Sequence, residues 1–216
     1  MNQKTLFISG AGLIILAFVL AAVLYQNNKT TEQSQAVNQN QGITERQGAP
    51  IKGPVDARVT IVEFFDPACG TCRDFYPLVK KLADQYPGKV RVMMRYAPLH
   101  AGSDQVVAML EAAHRQGQYW QALELLFNNQ NLWVINHNSQ PMRARSLLNS
   151  LTLNQDQLTQ EMGLPEVAAV IQQDIRDLQS LGVRATPEFF VNGKPMPSFG
   201  YEQLAQLVKD AVAEAY

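Results

Sequence analysis

Cysteine and histidine are scarce in this chain, and neither sign of charge is in excess. The 216 residues include two cysteines, three histidines, 18 basic and 19 acidic residues. A structural zinc site needs four ligands, and His100, His114 and His137 lack the usual ligand spacing. Nucleic-acid binding favours clustered basic charge, which the formal net charge of −1 does not suggest. We therefore expect neither a metal site nor a nucleic-acid partner.

The N-terminus holds a long uncharged stretch, from Thr5 to Tyr25. A helix of this length spans about 30 Å, the thickness of a bilayer's hydrocarbon core. Residues 1–25 are therefore predicted to form one transmembrane helix that anchors the chain. The alternative is a cleaved signal peptide, but such peptides have a shorter apolar core of about 7–15 residues and a clean cleavage site.

Residues 26–50 are rich in Gln, Asn, Thr and Ser and contain little that could be buried. This composition predicts a flexible polar linker. The folded domain is then predicted to cover residues 51–216.

The two cysteines lie between a predicted strand and a predicted helix. Residues 58–65, RVTIVEFF, are typical of a strand buried on both faces, and the helix begins near Cys69. A helix N-terminus presents unpaired N–H groups and the positive end of the dipole, so the pKa of Cys69 should lie below its free value of about 8.5. Cys72, one turn later, should be more buried and could attack a mixed disulfide formed at Cys69.

A lone C-x-x-C pair has three interpretations: half of a zinc site, a structural crosslink or a redox couple. Zinc would need two further ligands. A crosslink that closes so small a loop would restrict little entropy of the unfolded chain. The strand–turn–helix setting therefore favours redox chemistry.

Four segments, in the same order along the chain, resemble the DsbA family of extracytoplasmic thiol–disulfide oxidoreductases. They are VTIVEFFDPACGTC (59–72), RYAPLH (95–100), RQGQYWQALELLFNNQ (115–130) and LGVRATPEFFVNG (181–193). The resemblance implies an α/β thioredoxin fold, in which helices flank a central mixed sheet. It also implies a helical domain inserted at about residues 101–182, which agrees with the helical patterns in that stretch.

The resemblance also implies roles for individual residues. Cys69 matches the nucleophile of the family and Cys72 the resolving cysteine. Pro187 matches the cis-proline beside the disulfide, where the backbone of Thr186 would pair with an extended client chain. Glu63 matches a buried acid, whose raised pKa would let it relay a proton from Cys72.

The residues beside the cysteines bear on whether the protein oxidises or reduces its clients. Gly70 and Thr71 stand between the cysteines, where strongly oxidising members carry Pro-His, and these two residues are expected to tune the potential and contact the client. Thr186 replaces the valine that is common in oxidases. We expect oxidation of client dithiols, with a reductase for specific clients, such as a cytochrome or a metal-site protein, as the alternative. A non-catalytic client-binding or metallochaperone module is a third hypothesis.

The implied partners follow from this chemistry. They are cysteine-containing client proteins and a membrane redox partner of the DsbB-like or DsbD-like type. No cofactor is expected beyond the Cys69–Cys72 disulfide itself. The catalytic domain is predicted on the extracytoplasmic side of a bacterial cytoplasmic membrane, or secreted if the N-terminal segment is cleaved.

Overall fold

The computed structural model describes residues 3–39 and 42–216, with the backbone alone for residues 3–14, 33 and 37–39. Along the described part of the chain, helices and strands alternate near both ends, and the middle is mainly helical. They are α1 (Gln3–Gln39), β1 (Ile51–Lys52), β2 (Val59–Phe65), α2 (Gly70–Gln85), β3 (Val90–Tyr96), α3 (Ser103–Arg115), α4 (Tyr119–Asn128), α5 (Gln130–Trp133), β4 (Val134–Ile135), β5 (Asn138–Ser139), α6 (Pro141–Leu148), α7 (Gln155–Met162), α8 (Pro165–Ser180), β6 (Glu188–Val191), β7 (Lys194–Pro195) and α9 (Tyr201–Ala215).

A five-stranded sheet in the order β1-β3-β2-β6-β7 forms the centre of the domain. β2 pairs parallel with β3 and antiparallel with β6, so the sheet is mixed. Every residue of β2 is buried, because helices and loops cover both faces of the sheet. The predicted α/β thioredoxin fold with a mixed sheet flanked by helices is confirmed.

Successive side chains of β2 point to opposite faces of the sheet. Ile61 and Phe65 belong to the larger hydrophobic core, which also contains Cys72 of α2. Val62 and Phe64 belong to a smaller core on the other face. Glu63 lies between Val62 and Phe64 in sequence, and the alternation therefore directs its carboxyl toward the larger core.

The helical insertion lies between β3 and β6, where the resemblance implies it, and it comprises α3 to α8. It also contains the short hairpin β4–β5, which the sequence pattern does not predict. The hairpin turn places Asn136 and His137 at positive φ. Two-residue strands carry too few side chains for a recognisable alternation, which explains why the pattern missed them.

The N-terminal region differs from its predicted organisation. α1 continues past Tyr25, the predicted end of the anchor, and ends at Gln39. Part of the predicted linker is therefore helical, and the hydroxyls of Thr30 and Thr31 bond to carbonyls one turn earlier in α1. Within the described part of the chain, no helix combines the length and the apolar composition that a bilayer-spanning segment requires. Residues 1–2 of the predicted anchor lie outside the described residues.

The last residues of the predicted linker pack against the domain instead of remaining free. Thr44 and Ala49 are buried, and Ala49 belongs to the smaller core. Arg46 donates from Nε to Asp174 Oδ1 at 2.6 Å. The ordered domain thus extends upstream of Ile51. Composition alone missed this packing because the partners of these polar residues lie far away in sequence.

A buried ion network joins this segment to the sheet and to the insertion. Arg95, on β3, is fully buried and donates from Nε to Asp174 Oδ1 at 2.8 Å and from Nη2 to Asp177 Oδ2 at 2.5 Å. Both carboxylates lie on α8. Arg95 Nη1 donates to the carbonyls of Ile43 and Thr44. One guanidinium therefore connects β3, α8 and the 43–46 segment.

Replacing Arg95 by methionine should strongly destabilise the fold. The substitution leaves Asp177 without its cation and Asp174 with Arg46 alone, and breaking a buried ion pair in this way costs about 3–5 kcal/mol. Urea unfolding of the Arg95→Met variant measures this change. The control is Lys194→Met, which breaks an exposed pair with Glu214 and should cost about 1 kcal/mol or less. Equal effects of the two variants would contradict the assigned role of Arg95.

Candidate active site

The two cysteines lie where β2 ends and α2 begins. Cys69 is the N-cap residue of α2, with extended backbone angles, and Cys72 lies in the first turn of the helix. The side chain of Cys69 reaches the surface, with 7% of the residue exposed, whereas Cys72 is fully buried. Both are free thiols in this structure. This is the arrangement that the sequence predicts for an attacking and a resolving cysteine.

The surroundings of Cys69 strongly favour its thiolate. Its pKa is lowered to about 5, first by a hydrogen bond from the Cys72 thiol, against the opposing effect of burial. The Thr186 side chain and the backbone N–H groups of Thr71 and Cys72 contribute further hydrogen bonds. Two of these donors are backbone groups at the start of α2, as the sequence analysis expects for a helix N-terminus.

Cys72 has the opposite tendency. Burial is the main cause that raises the pKa of its thiol well above the usual value. The hydrogen bond to Cys69 and the negative charges of Glu63 and Cys69 raise it further. The reduced pair therefore holds one proton, on Cys72, over a wide range of pH.

Glu63 is a buried acid behind the pair. It is fully buried, and neither carboxyl oxygen has a hydrogen-bond partner among the described residues. Burial, followed by the charge of Cys69, raises its pKa to about 8. At neutral pH the carboxyl is thus mainly protonated, and it can supply a proton inside the core.

The loop before β6 completes the surroundings of Cys69. Cys69 Sγ lies 3.3 Å from the carbonyl oxygen of Thr186, to which it donates only when it is protonated, and the peptide bond between Thr186 and Pro187 is cis. Gly70 is half-buried and Thr71 is exposed, so both border Cys69 at the surface. The structure thus brings the predicted catalytic and substrate-binding residues to one place, and their roles in the reaction remain predictions.

Asp66 is a residue of this site that its local sequence pattern does not mark. Its carboxylate is fully buried and accepts hydrogen bonds from the N–H groups of Ala68, Leu99 and His100 and from the hydroxyl of Ser103. His100 Nδ1 also lies 2.8 Å from it. Asp66 therefore fastens the turn before Cys69 to the end of β3 and the start of α3.

Gln130 is a second such residue, and it lies in the insertion. Its side chain is buried, and Nε2 donates to the carbonyl oxygens of Pro67 at 2.9 Å and Cys69 at 3.0 Å. The helical insertion is thereby joined directly to the reactive turn. No local pattern marks Gln130, since both of its partners are more than 60 residues away.

The fold and the site together define a thioredoxin-fold protein with a two-cysteine centre. The thioredoxin family model matches residues 45–210, which is more than half of the chain. The chain belongs to the thioredoxin family.

Two curated relatives differ in how they contain this domain. A Na⁺/H⁺ antiporter NhaA 3 of Salinispora tropica is 31% identical over 172 residues, which are 76% of this chain and 25% of the antiporter. The chain thus spans about a quarter of the length of the antiporters that it matches. The disulfide bond formation protein D of Bacillus subtilis is 26% identical over 197 residues, which are 85% of this chain and 84% of that protein.

Solved structures of similar fold support the assignment of the thioredoxin fold. A thioredoxin-like oxidoreductase from Silicibacter pomeroyi has a TM-score of 0.69 at 30% identity, over 81% of this chain and 97% of its own. The thiol-disulfide exchange protein alpha-DsbA2 of Wolbachia pipientis has a TM-score of 0.68 at 16% identity, over 85% and 97% of the two chains, and this likeness concerns the fold alone. The predicted resemblance to thiol–disulfide oxidoreductases of the thioredoxin fold is confirmed. The predicted enzyme class agrees with that of the oxidoreductase from Silicibacter pomeroyi.

Replacing Cys72 by alanine should raise the pKa of Cys69 from about 5, because the largest stabilising hydrogen bond is lost. A hydrogen bond to a charged group contributes about 1.5–3 kcal/mol, which corresponds to about one to two pH units. The ultraviolet absorbance of the thiolate, followed against pH in the reduced protein, measures the change. Thr71→Ala is the control, since residue 71 acts through its backbone N–H, and its titration should match that of the unmodified protein.

Replacing Glu63 by glutamine should change how stability depends on pH. The folded protein keeps a proton on Glu63 up to a pKa of about 8, above the unfolded value of 4.5, so it binds more protons than the unfolded chain between these limits. The contribution of Glu63 to stability therefore falls as pH rises, by up to about 1.4 kcal/mol per pH unit. Urea unfolding from pH 4 to 9 should show Glu63→Gln gaining stability over the unmodified protein as pH increases. A difference that is independent of pH would contradict the buried, protonated state of Glu63.

Proposed function

We propose that this protein is a thiol–disulfide oxidoreductase that forms disulfides in extracytoplasmic client proteins. The asymmetry between Cys69 and Cys72 is the observation that carries this proposal. A sulfur that is stable as a thiolate is a good leaving group, and a protonated, buried neighbour can resolve or re-form the disulfide.

In the first step a client thiolate attacks Cys69 Sγ in the oxidised pair. The Cys69–Cys72 bond breaks, a bond between the client sulfur and Cys69 forms, and Cys72 leaves as a thiolate. Because the pKa of Cys72 is raised, this thiolate takes up a proton, and Glu63 is the buried donor behind it.

In the second step another thiolate of the client attacks the client sulfur that is bound to Cys69. A disulfide forms within the client, and Cys69 leaves as a thiolate that the Cys72 thiol and the start of α2 stabilise. The client has lost two electrons, and the pair has gained them. A membrane partner of the DsbB-like type would then reoxidise the pair.

The low pKa of Cys69 favours this direction. Cysteines in such pairs range from a pKa of about 3.5 in DsbA to about 7 in thioredoxin, and a more stable reduced form makes a stronger oxidant. A value of about 5 lies between them. The alternative is a reductase supplied by a DsbD-like partner, and the Gly70–Thr71 spacer, which lacks a basic side chain, supports it.

The proposed location is the extracytoplasmic side of a bacterial cytoplasmic membrane, where disulfides form and persist. The single-pass anchor at residues 1–25, the client proteins and the redox partner are predictions from the sequence and its resemblance. A secreted protein, produced by cleavage of the N-terminal segment, is the alternative.

The reduction potential of the full chain, equilibrated in glutathione buffers, tests the direction of the reaction. We expect a value between about −120 mV, as in DsbA, and about −180 mV, as in protein disulfide isomerase. A value near −270 mV, as in thioredoxin, would favour the reductase. Absence of a reversible couple would refute the redox proposal.

A trapping experiment tests the intermediate. In Cys72→Ser the Cys69 thiolate can still attack a client disulfide, and residue 72 has no thiol to displace the client, so clients should accumulate as adducts that reducing agents release. Cys69→Ser is the matched control and should trap nothing. If clients still bind to the double variant Cys69→Ser/Cys72→Ser, the result would favour the third hypothesis, a non-catalytic client-binding module.

A further inference from the structure

α1 passes beside Arg184, Ala185 and Glu188, which flank Thr186 and Pro187, and its position bears on how clients bind. Tyr25 and Lys29 each line two clefts between α1 and the domain, and Glu188 lines both clefts on the domain side. Glu188 directly follows Pro187, and Thr186 contacts Cys69. The helix therefore crosses the domain close to the position where a client would meet the reactive sulfur.

The first cleft, here called the charged cleft, has a volume of about 450 Å³. Lys29 and Glu32 line it on the α1 side. Arg184 and Glu188 line it on the domain side, together with Ala185. Charges of both signs thus face a cavity whose lining includes Ala185, the residue before Thr186.

The second cleft, here called the apolar cleft, has a volume of about 460 Å³. Ala22 of α1 and Met196 and Phe199 of the domain line it. Phe199 is 59% exposed, and its ring lies 5.0 Å from that of Phe75, which follows Cys72 by about one helical turn. A partly exposed aromatic surface therefore borders the reactive pair on this side.

α1 contributes to these clefts without being part of either core. None of its described side chains, which lie between Ile15 and Ala36, is buried or belongs to a core cluster. Its hydroxyl contact with the domain runs from Thr30 to the carbonyl of Pro197 at 3.3 Å. Side chains of α1 that line the clefts can therefore be changed without removing core contacts.

We propose that α1 forms one wall of the client-binding site, and that an extended client segment lies between α1 and residues 184–188 and 196–199. This inference rests on the proposed function and describes how the client protein is bound. Because an extended chain rises about 3.3 Å per residue, the residues on either side of a client cysteine reach the clefts that flank Thr186. Clefts of this size admit side chains of an unfolded segment and exclude a folded domain.

The charged cleft makes the site selective for charge in the client. Lys29 attracts an acidic client residue, whereas Glu32 and Glu188 in the same cleft attract a basic one, so a change of charge at Lys29 shifts the balance. The effect weakens with salt because the cleft is open to solvent. Aromatic contact with Phe199 stabilises an apolar client residue on the other side.

Two dithiol peptides that differ only near the first cysteine test this proposal on the full chain. One carries Glu and the other Lys two positions before and after that cysteine, and their oxidation by the oxidised protein gives kcat and KM. Lys29→Glu should shift the preference between the peptides toward the Lys peptide by about five-fold, through KM. The shift should shrink at about 1 M salt, where screening acts over about 3 Å.

Two further variants complete the test. Tyr25→Ala should raise KM for both peptides, because Tyr25 lines both clefts. Asn27→Glu is the matched control, since it adds a negative charge on α1 at a residue that lines neither cleft, and its peptide preference should remain that of the unmodified protein. Dithiothreitol, which is too small to occupy both clefts, should reduce all variants at the same rate.

The possible outcomes separate this inference from the proposed function. Equal preferences in Lys29→Glu and Asn27→Glu would overturn the assignment of α1 as a wall. Faster reaction of Tyr25→Ala with both peptides would also overturn it, because α1 would then obstruct the site. If dithiothreitol fails to reduce the oxidised protein, the proposed function itself fails.

Discussion

The hydrogen bond between the two sulfur atoms is the interaction on which the rest of the site depends. One proton lies between Cys69 and Cys72, and burial assigns it to Cys72 while the start of α2 stabilises the charge on Cys69. The same charge helps to keep Glu63 protonated, so three titratable groups are coupled within the larger core. Their opposite tendencies follow from depth: Cys69 reaches the surface, whereas Cys72 and Glu63 have no contact with water to stabilise a second charge.

Such a pair works only if the turn that carries it is held in place, and buried polar groups do this from several directions. Asp66 ties the turn to the end of β3 and the start of α3, and Gln130 ties it to the insertion. Behind them, Arg95 joins β3 to α8 through two carboxylates. Each of these groups is fully or almost fully buried, and each is satisfied by partners from other segments. The insertion therefore takes part in holding the reactive turn in place, because it donates hydrogen bonds to the backbone of that turn.

As a wall of the proposed client site, α1 would give the N-terminal segment a second function. The sequence of this segment predicts an anchor and a linker, whose part is to hold the domain at a distance. In the structure its middle part lies against the loops at residues 184–188 and 196–199, and the first of these loops contains Thr186, whose carbonyl oxygen lies 3.3 Å from Cys69 Sγ. The proposed client site would thus combine the thioredoxin-family domain with a wall that α1 supplies.

The cysteine pair and its placement at a helix start could be predicted from the residues themselves, whereas the fold class, the Thr186–Pro187 loop and the buried Glu63 were implied by the resemblance to a known family. The placement of the cysteines rests on local patterns, namely a strand rich in β-branched and aromatic residues, a short cysteine spacing and a helical period. The roles of Asp66, Gln130 and Arg95, the packing of residues 42–50 and the position of α1 become visible in the folded protein. A polar side chain looks the same in sequence whether it is solvated or buried, and its role depends on partners that the fold brings from distant segments.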